Sequence, residues 1–237
     1  MHPALFKEIK ETFMSYSIHT ELFGPYQNFS HILVDDATKK AVVFDPAWDA
    51  DYIAQRLEKL GVTLEAIWLT HGHHDHTNAL DALRTIHDVP VYASQIEIDF
   101  IQNVPEAIGS KVFLPLPNDI QSFNDGDTLQ LGETIAKIIH TPGHSSGSVC
   151  FLLEDDMITG DTIFIDGCGR ADLPGSSPSE LFESLTKIVK TVPHHVTLHT
   201  GHAYGPSDTA TLESQIRTNP YLKRANRHEF VDYRMNN

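Results

Sequence analysis

The sequence predicts an α/β fold, and three observations predict it. Short apolar runs of strand-like alternation recur along the chain, each closed by Gly, Pro or Asp. Between them lie segments whose apolar residues repeat at helical spacing, as at Ile53, Leu57 and Leu60. The runs fall into two halves of similar order with no Pro/Gly/Ser-rich linker between them, so the 237 residues are expected to form a single domain, 1–237.

Taken in order, Leu5, Ile9 and Phe13 predict a short amphipathic helix over residues 3–14. Ser15 to Phe23, Phe29 to Val34 and Lys40 to Phe44 predict an antiparallel meander turning at Gly24-Pro25. Asp45-Pro46-Ala47-Trp48 breaks the third strand, and Asp49 caps a helix that runs to Leu60 and stops at Gly61. Leu64 to Leu69 is a buried strand, Thr77 to Ile86 a helix and Val91 to Ala93 another strand. Pro105, Pro115 and Pro117 predict irregular structure up to about residue 118, placed as a loop over the site. Strands are then expected at Thr128 to Leu131, Thr134 to Thr141, Ser148 to Leu153, Met157 to Thr159 and Val196 to Leu198. Helices are expected at Ser179 to Val189 and Ser207 to Ile216, with residues 208–237 forming a short helical extension.

Composition narrows the function. Lys+Arg 17 against Asp+Glu 32 gives a net charge of −15, which opposes a nucleic-acid groove or an anionic membrane surface. Two cysteines, Cys150 and Cys168, are too few for a disulfide scaffold and read as core thiols in a reducing compartment. The first 14 residues carry charges and lack the apolar core and cleavage site of a signal peptide, so a cytoplasmic protein is expected. Oligomeric state is not readable.

The chemistry concentrates at Thr70 to His76, T-H-G-H-H-D-H, which leaves the end of an apolar strand. His71, His73, Asp75 and His76 set three imidazoles and a carboxylate on one short turn, an arrangement a divalent ion would hold together. Imidazole nitrogen and carboxylate oxygen suit zinc, iron or manganese. The plain alternative is a solvated His-rich loop. Three more donors sit in Gly-rich turns at strand ends: His144 in T-P-G-H-S-S-G-S, Asp161 in T-G-D-T and His202 in H-T-G-H-A-Y-G-P-S. Seven donors suffice for two metals with water completing each shell. His74 is expected to support the ligands or face solvent.

H-x-H-x-D-H followed by a distant His, Asp and His resembles the metallo-β-lactamase superfamily over roughly residues 15 to 220. The resemblance implies an αββα sandwich, two mixed β-sheets flanked by helices, with metals at one sheet edge. It implies one ion on His71, His73 and His144 and a second on Asp75, His76 and His202, with Asp161 bridging and a shared hydroxide as nucleophile. Asp161 stands where many lactamases have Cys or Ser, which argues against β-lactam hydrolysis. The stretch Asp161-Thr162-Ile163-Phe164-Ile165-Asp166-Gly167-Cys168-Gly169-Arg170 is similar to the G-D-T-L-F-x-x-G-C-G-[KR] segment of glyoxalase II and the persulfide dioxygenases, and His202-Ala203-Tyr204 to their H-[ED]-Y. By that likeness Arg170 and Tyr204 would bind the glutathione part of a substrate. For Arg170 the alternative is a surface ion pair with Asp172. Glyoxalase II proper has a long C-terminal helical domain with further basic contacts, and 35 residues follow His202 here, so Arg217, Lys223 and Arg224 are the stand-ins expected.

The expectation is therefore a metal-dependent hydrolase of hydroxyacyl thioesters, with two divalent ions, zinc foremost. Asp75 and Asp161 are the expected catalytic carboxylates. A thiolate leaving group, pKa near 8.5, needs no dedicated acid. An iron-dependent persulfide dioxygenase uses the same ligands, and a lactonase or a non-catalytic metal-binding module are the lesser alternatives.

Overall fold

The computed structural model describes residues 16–109 and 111–236. The helix expected over residues 3–14 lies outside them. The three expected opening strands form as β1 (Tyr16–Phe23), β2 (Asn28–Asp35) and β3 (Lys40–Phe44), an antiparallel meander. β4 (Thr63–Trp68), β5 (Val91–Ser94) and β6 (Gln121–Phe123) then add in parallel, giving a six-stranded mixed sheet in the order β1-β2-β3-β4-β5-β6. The second half repeats this plan. β7 (Thr128–Leu131), β8 (Thr134–His140), β9 (Val149–Leu152) and β10 (Asp156–Gly160) run antiparallel, β11 (Thr197–Thr200) joins β10 in parallel, and β12 (Thr209–Thr211) closes the edge.

Period-two alternation explains why both sheets are covered on both faces. Val42 and Phe44 of β3 point between the sheets, whereas Ala41 and Val43 point outward. Between the sheets, Phe151 sits at the middle, with ring centroids 5.0 Å from Phe44, 5.6 Å from Phe123 and 5.8 Å from Trp68. Truncating such a residue to Ala costs about 3–5 kcal/mol. Outside the first sheet pack α1 (Ala50–Leu60), α3 (Leu80–Ile86) and α4 (Gln95–Asn103), through Ile53, Leu57, Leu83 and Ile98. Outside the second pack α6 (Pro178–Thr191), α7 (Leu212–Thr218) and α8 (Arg227–Asn236), through Leu185, Ile188, Leu212 and Phe230. The layers are thus helix, sheet, sheet, helix, as expected.

Helix ends follow their capping chemistry. Asp49 accepts a hydrogen bond from Tyr52 N and Gly61 closes α1 in the left-handed conformation. Ser177 accepts from Glu180 N, with Pro178 in the first turn of α6.

Three expectations need correction. The helix expected from Thr77 is split: α2 (His74–Thr77) is a single turn, and α3 starts only at Leu80. The break is tied down, because Asn78 Oδ1 accepts from Trp48 N and Ala79 N donates to Pro46 O. The stretch before residue 118 contains α4 and the short α5 (Glu106–Gly109) rather than irregular chain throughout. The segment from Ser207 is not helical at its start: Thr209–Thr211 pairs with β11 before α7 begins, so residues 208–236 complete the second sheet and its helical layer. No helix among the described residues is long and apolar enough to cross a membrane.

Candidate active site

β3, β4, β8, β10 and β11 all point their C-terminal ends to one edge of the sandwich, and every expected donor lies in the connections that leave them, Asp75 and His76 on the helical turn α2. The edge is stitched across the two sheets by Val149 N donating to Thr70 O at 2.9 Å and by Phe29 N donating to Gly201 O at 2.8 Å. Close approach depends on Gly201, where a Cβ would strike Asp161 Oδ1, and on Gly169, where one would strike Asp161 O.

The seven donors come together. His71, His73 and His144 form one trio and Asp75, His76 and His202 another, each with ligand atoms within 4.8 Å of one another. His73 Nδ1 is 2.9 Å from His144 Nε2, and His76 Nε2 is 3.2 Å from His202 Nε2. Asp161 lies between the trios, with carboxylate oxygens 3.3 Å from His76, His144 and His202. All but Asp75, which is partly exposed, are buried, so the solvated-loop alternative is excluded for this turn. His74 is half-exposed at the rim, with its ring centroid 6.0 Å from that of Tyr26.

The surrounding hydrogen bonds decide which nitrogen each ring presents inward. His144 Nδ1 is 2.9 Å from Arg170 O, His202 Nδ1 2.7 Å from Tyr26 O, and His76 Nδ1 3.1 Å from Asp45 Oδ2. Each of these rings therefore donates outward from Nδ1 and turns Nε2 to the centre, the orientation that ligating imidazoles need. Asn28 Nδ2 donates to Asp75 Oδ2 at 2.9 Å. Burial holds the His71 and His73 pKa values well below the ordinary imidazole range and lowers that of His144, reinforced at the first two by neighbouring rings. Neutral imidazole is the form that binds a metal. At Asp161 burial favours the acid form, yet His202, His76 and His144 hold it well below the usual carboxylate range. His76 is opposed by burial too, but Asp161, Asp75 and Asp45 raise it to about 10.

A divalent ion fits this donor set. His71 Nε2 and Asp161 Oδ1 are buried and have no hydrogen-bond partner, which is costly in any protein and is relieved by coordination. Five imidazoles and two carboxylates also match zinc, iron or manganese.

A profile of the metallo-beta-lactamase superfamily matches residues 24–216. The chain belongs to this superfamily of metallo-hydrolases. Among its relatives is a "probable polyketide biosynthesis zinc-dependent hydrolase BaeB" of Bacillus velezensis, 35% identical over 209 residues, 88% of each chain. Another is the hydroxyacylglutathione hydrolase GloC of Haemophilus influenzae, 30% identical over 199 residues, 80% of this chain and 91% of that one. Among solved structures, ETHE1 from Myxococcus xanthus superposes with a TM-score of 0.79 at 27% identity, over 93% of this chain and 90% of the other.

A cleft of about 580 Å³ opens over the donors. Tyr204 stacks on His202 at 4.6 Å and 7° and lines it, and Arg170 lines it as well. Arg170 is also forked onto Asp172 by two hydrogen bonds of 2.8 Å, so the ion pair and the cleft position coexist. Arg217, Lys223 and Arg224 are corrected: none lines the cleft, Arg217 pairing with Glu213 at 2.8 Å and Arg224 lying over Tyr233 at 4.3 Å. The basic group that α8 brings to the cleft is Arg234, beside Tyr221, and Lys111 contributes from the loop after α5. Within that loop Phe113 packs on His73 at 5.1 Å and Val112 O accepts from His74 N at 2.8 Å, so it forms one wall of the site.

Two acidic residues carry more of the site than their sequence context shows. Asp45 follows β3 with φ 48, a left-handed conformation that an Asp tolerates, and it grips both ends of the ligand turn. Its Oδ1 accepts from Thr70 N at 2.8 Å and its Oδ2 from Thr70 Oγ1 at 2.6 Å. In the sequence Asp45-Pro46 signals only a strand break. Glu97 on α4 accepts from Gly72 N, Gly147 N and Ser145 Oγ. Burial pushes its carboxyl up against the pull of those donors. A lone Glu between Ile96 and Ile98 carries no signal of this in the sequence.

Proposed function

We propose that this chain is a metal-dependent thioester hydrolase acting on hydroxyacyl thioesters, with glutathione as the first candidate thiol. His71, His73 and His144 would hold one divalent ion, zinc foremost and iron or manganese as alternatives. Asp75, His76 and His202 would hold the other, with Asp161 shared. The observation that carries this reading is the pairing of two donor trios around one carboxylate with a cleft whose walls bring Lys111, Arg170 and Arg234.

Bound there, the ions supply Lewis acidity and water activated near neutral pH. The chain's own residues do the rest. Asp75, held by Asn28, and Asp161 present carboxylate oxygens over the floor of the cleft, where they orient water. Tyr204 has its pKa raised to about 12, by burial first and then by Asp161 and Asp75, so its hydroxyl stays protonated and donates to the substrate. The three cations attract a thiol that bears carboxylates. Phe164, Leu173 and Tyr26 shield the acyl side from water. A thiolate leaves without a proton donor, in keeping with a cleft whose inner carboxylates are held ionised. The names borne by the relatives, a hydroxyacylglutathione hydrolase and a zinc-dependent hydrolase, support the reading.

The test is a substrate panel run with zinc-loaded and iron-loaded protein: S-D-lactoylglutathione, a hydroxyacyl-coenzyme A, glutathione persulfide, a homoserine lactone and nitrocefin. Preference for S-D-lactoylglutathione by the zinc form is the expected result. One iron per chain with oxygen uptake on the persulfide would sink it. That second reading, an iron-dependent dioxygenase, rests on His71, His73 and His144 with Asp161 as a set for one iron with open positions.

A further inference from the structure

Glu97 is a carboxylate in an unusual place. It is 1% exposed, on a helix face that otherwise buries Ile98 in the core, and it has no ion-pair partner among the described residues. Burying such a group is unfavourable unless hydrogen bonds satisfy it. The three that do come from two loops far apart in sequence. Oε1 accepts from Gly72 N at 2.8 Å; Oε2 accepts from Gly147 N at 2.8 Å and from Ser145 Oγ at 2.9 Å. Ser145 Oγ is in turn 2.7 Å from Ser148 Oγ, which accepts from Ser145 N.

Those loops have one thing in common. Gly72 lies between His71 and His73, and Ser145 follows His144, so a single carboxylate fastens the backbone beside all three members of one trio. The other trio is held differently: His76 by Asp45, Asp75 by Asn28, and His202 by Tyr26 O. Room for the clamp is made by glycines. A Cβ at Gly147 would strike the Glu97 backbone, and one at Gly72 would strike the Ile101 side chain on the same helix.

We propose that Glu97 is a positioning residue for the three-histidine half of the metal centre, setting that half's affinity for an ion and leaving the Asp75, His76 and His202 half untouched. This rests on the metal-centre reading above. Glu97→Gln keeps the size but turns an amide NH2 toward N–H or O–H donors on one of the two loops, so one side of the clamp opens.

The test titrates Co²⁺ into metal-free protein in two backgrounds, followed by its visible absorption. His202→Ala leaves the three-histidine half to be read, and His73→Ala leaves the other. In the His202→Ala background Glu97→Gln should weaken Co²⁺ binding about 10–100-fold and alter the cobalt bands, while in the His73→Ala background binding should change less than about twofold. Ser145→Ala, which removes one bond and leaves Gly147 N in place, should shift the same half in the same direction by a smaller factor. It stands in should the Gln variant fail to give native circular dichroism. Equal losses in both backgrounds, or none in either, overturn the proposal. Failure of the unsubstituted chain to bind Co²⁺ overturns the metal-centre reading itself, and the proposal with it.

Discussion

Asp45 Oδ2 stands 3.1 Å from His76 Nδ1 and 2.6 Å from Thr70 Oγ1, so one carboxylate ties the strand end that starts the ligand turn to the ring that ends it. Asp45→Asn replaces one of those acceptors by a donor and leaves His76 free to rotate. Zinc binding at the Asp75, His76 and His202 half should weaken about 10–100-fold, read by competition with a chromogenic chelator. Unchanged affinity would show that packing alone holds the ring.

The cleft cations predict a pattern in KM. Arg234 donates to Gly169 O and faces Tyr221, with no carboxylate within ion-pair distance among the described residues, and the same holds for Lys111. Arg234→Ala and Lys111→Ala should each raise KM for S-D-lactoylglutathione by about 5–30-fold, with kcat nearly unchanged, as expected for loss of about 1–2 kcal/mol of charged hydrogen bonding. Arg170→Ala should raise it less, because Asp172 already occupies that guanidinium. Steady-state kinetics decide, and a collapse of kcat would argue against a binding role.

Most of the architecture is legible in the chain because alternation and caps report burial locally. Val42, Phe44, Asp49 and Gly61 each announce their place. The seven donors are legible for the same reason, being unusual residues at strand ends beside glycines. What is not legible is long-range. Glu97 is an ordinary acid in an ordinary helix until Gly72 and Gly147 fold onto it, and Thr209–Thr211 reads as a helix start until β11 offers it an edge. Arg234, three residues from the end, reaches the cleft only because Phe230 anchors α8 in the second core.

Asp35 predicts an acid limb in stability. Buried at the end of β2, it accepts from Thr38 N and Oγ1, from Glu133 N, and from Thr134 N and Oγ1, joining the first sheet to the β7–β8 hairpin. Burial alone would raise its pKa, but those donors bring it down to about 2. Since the folded value lies below the unfolded value near 3.9, the stabilisation is fully present above that value and is lost as pH falls toward 2. It amounts to about 2 kcal/mol. Urea denaturation of chelator-treated protein should show Asp35→Asn less stable at pH 7 and with a flatter profile between pH 4 and 2.

Cys150 and Cys168 are free and buried, and burial raises their pKa values to about 11 and about 12. Neither should react with a thiol reagent at pH 8 in the native protein, and both should react in denaturant. Inactivation by prompt alkylation of Cys168, which borders the cleft, would contradict this.

The most direct measurement of the central claim is thiol release from S-D-lactoylglutathione by the zinc-loaded protein under anaerobic conditions, with free acid followed in parallel. Catalytic turnover is expected, with thiol and acid formed in equal amounts, abolished by chelation and restored by zinc. No turnover on any thioester, together with oxygen consumption on glutathione persulfide by the iron-loaded protein, would contradict it.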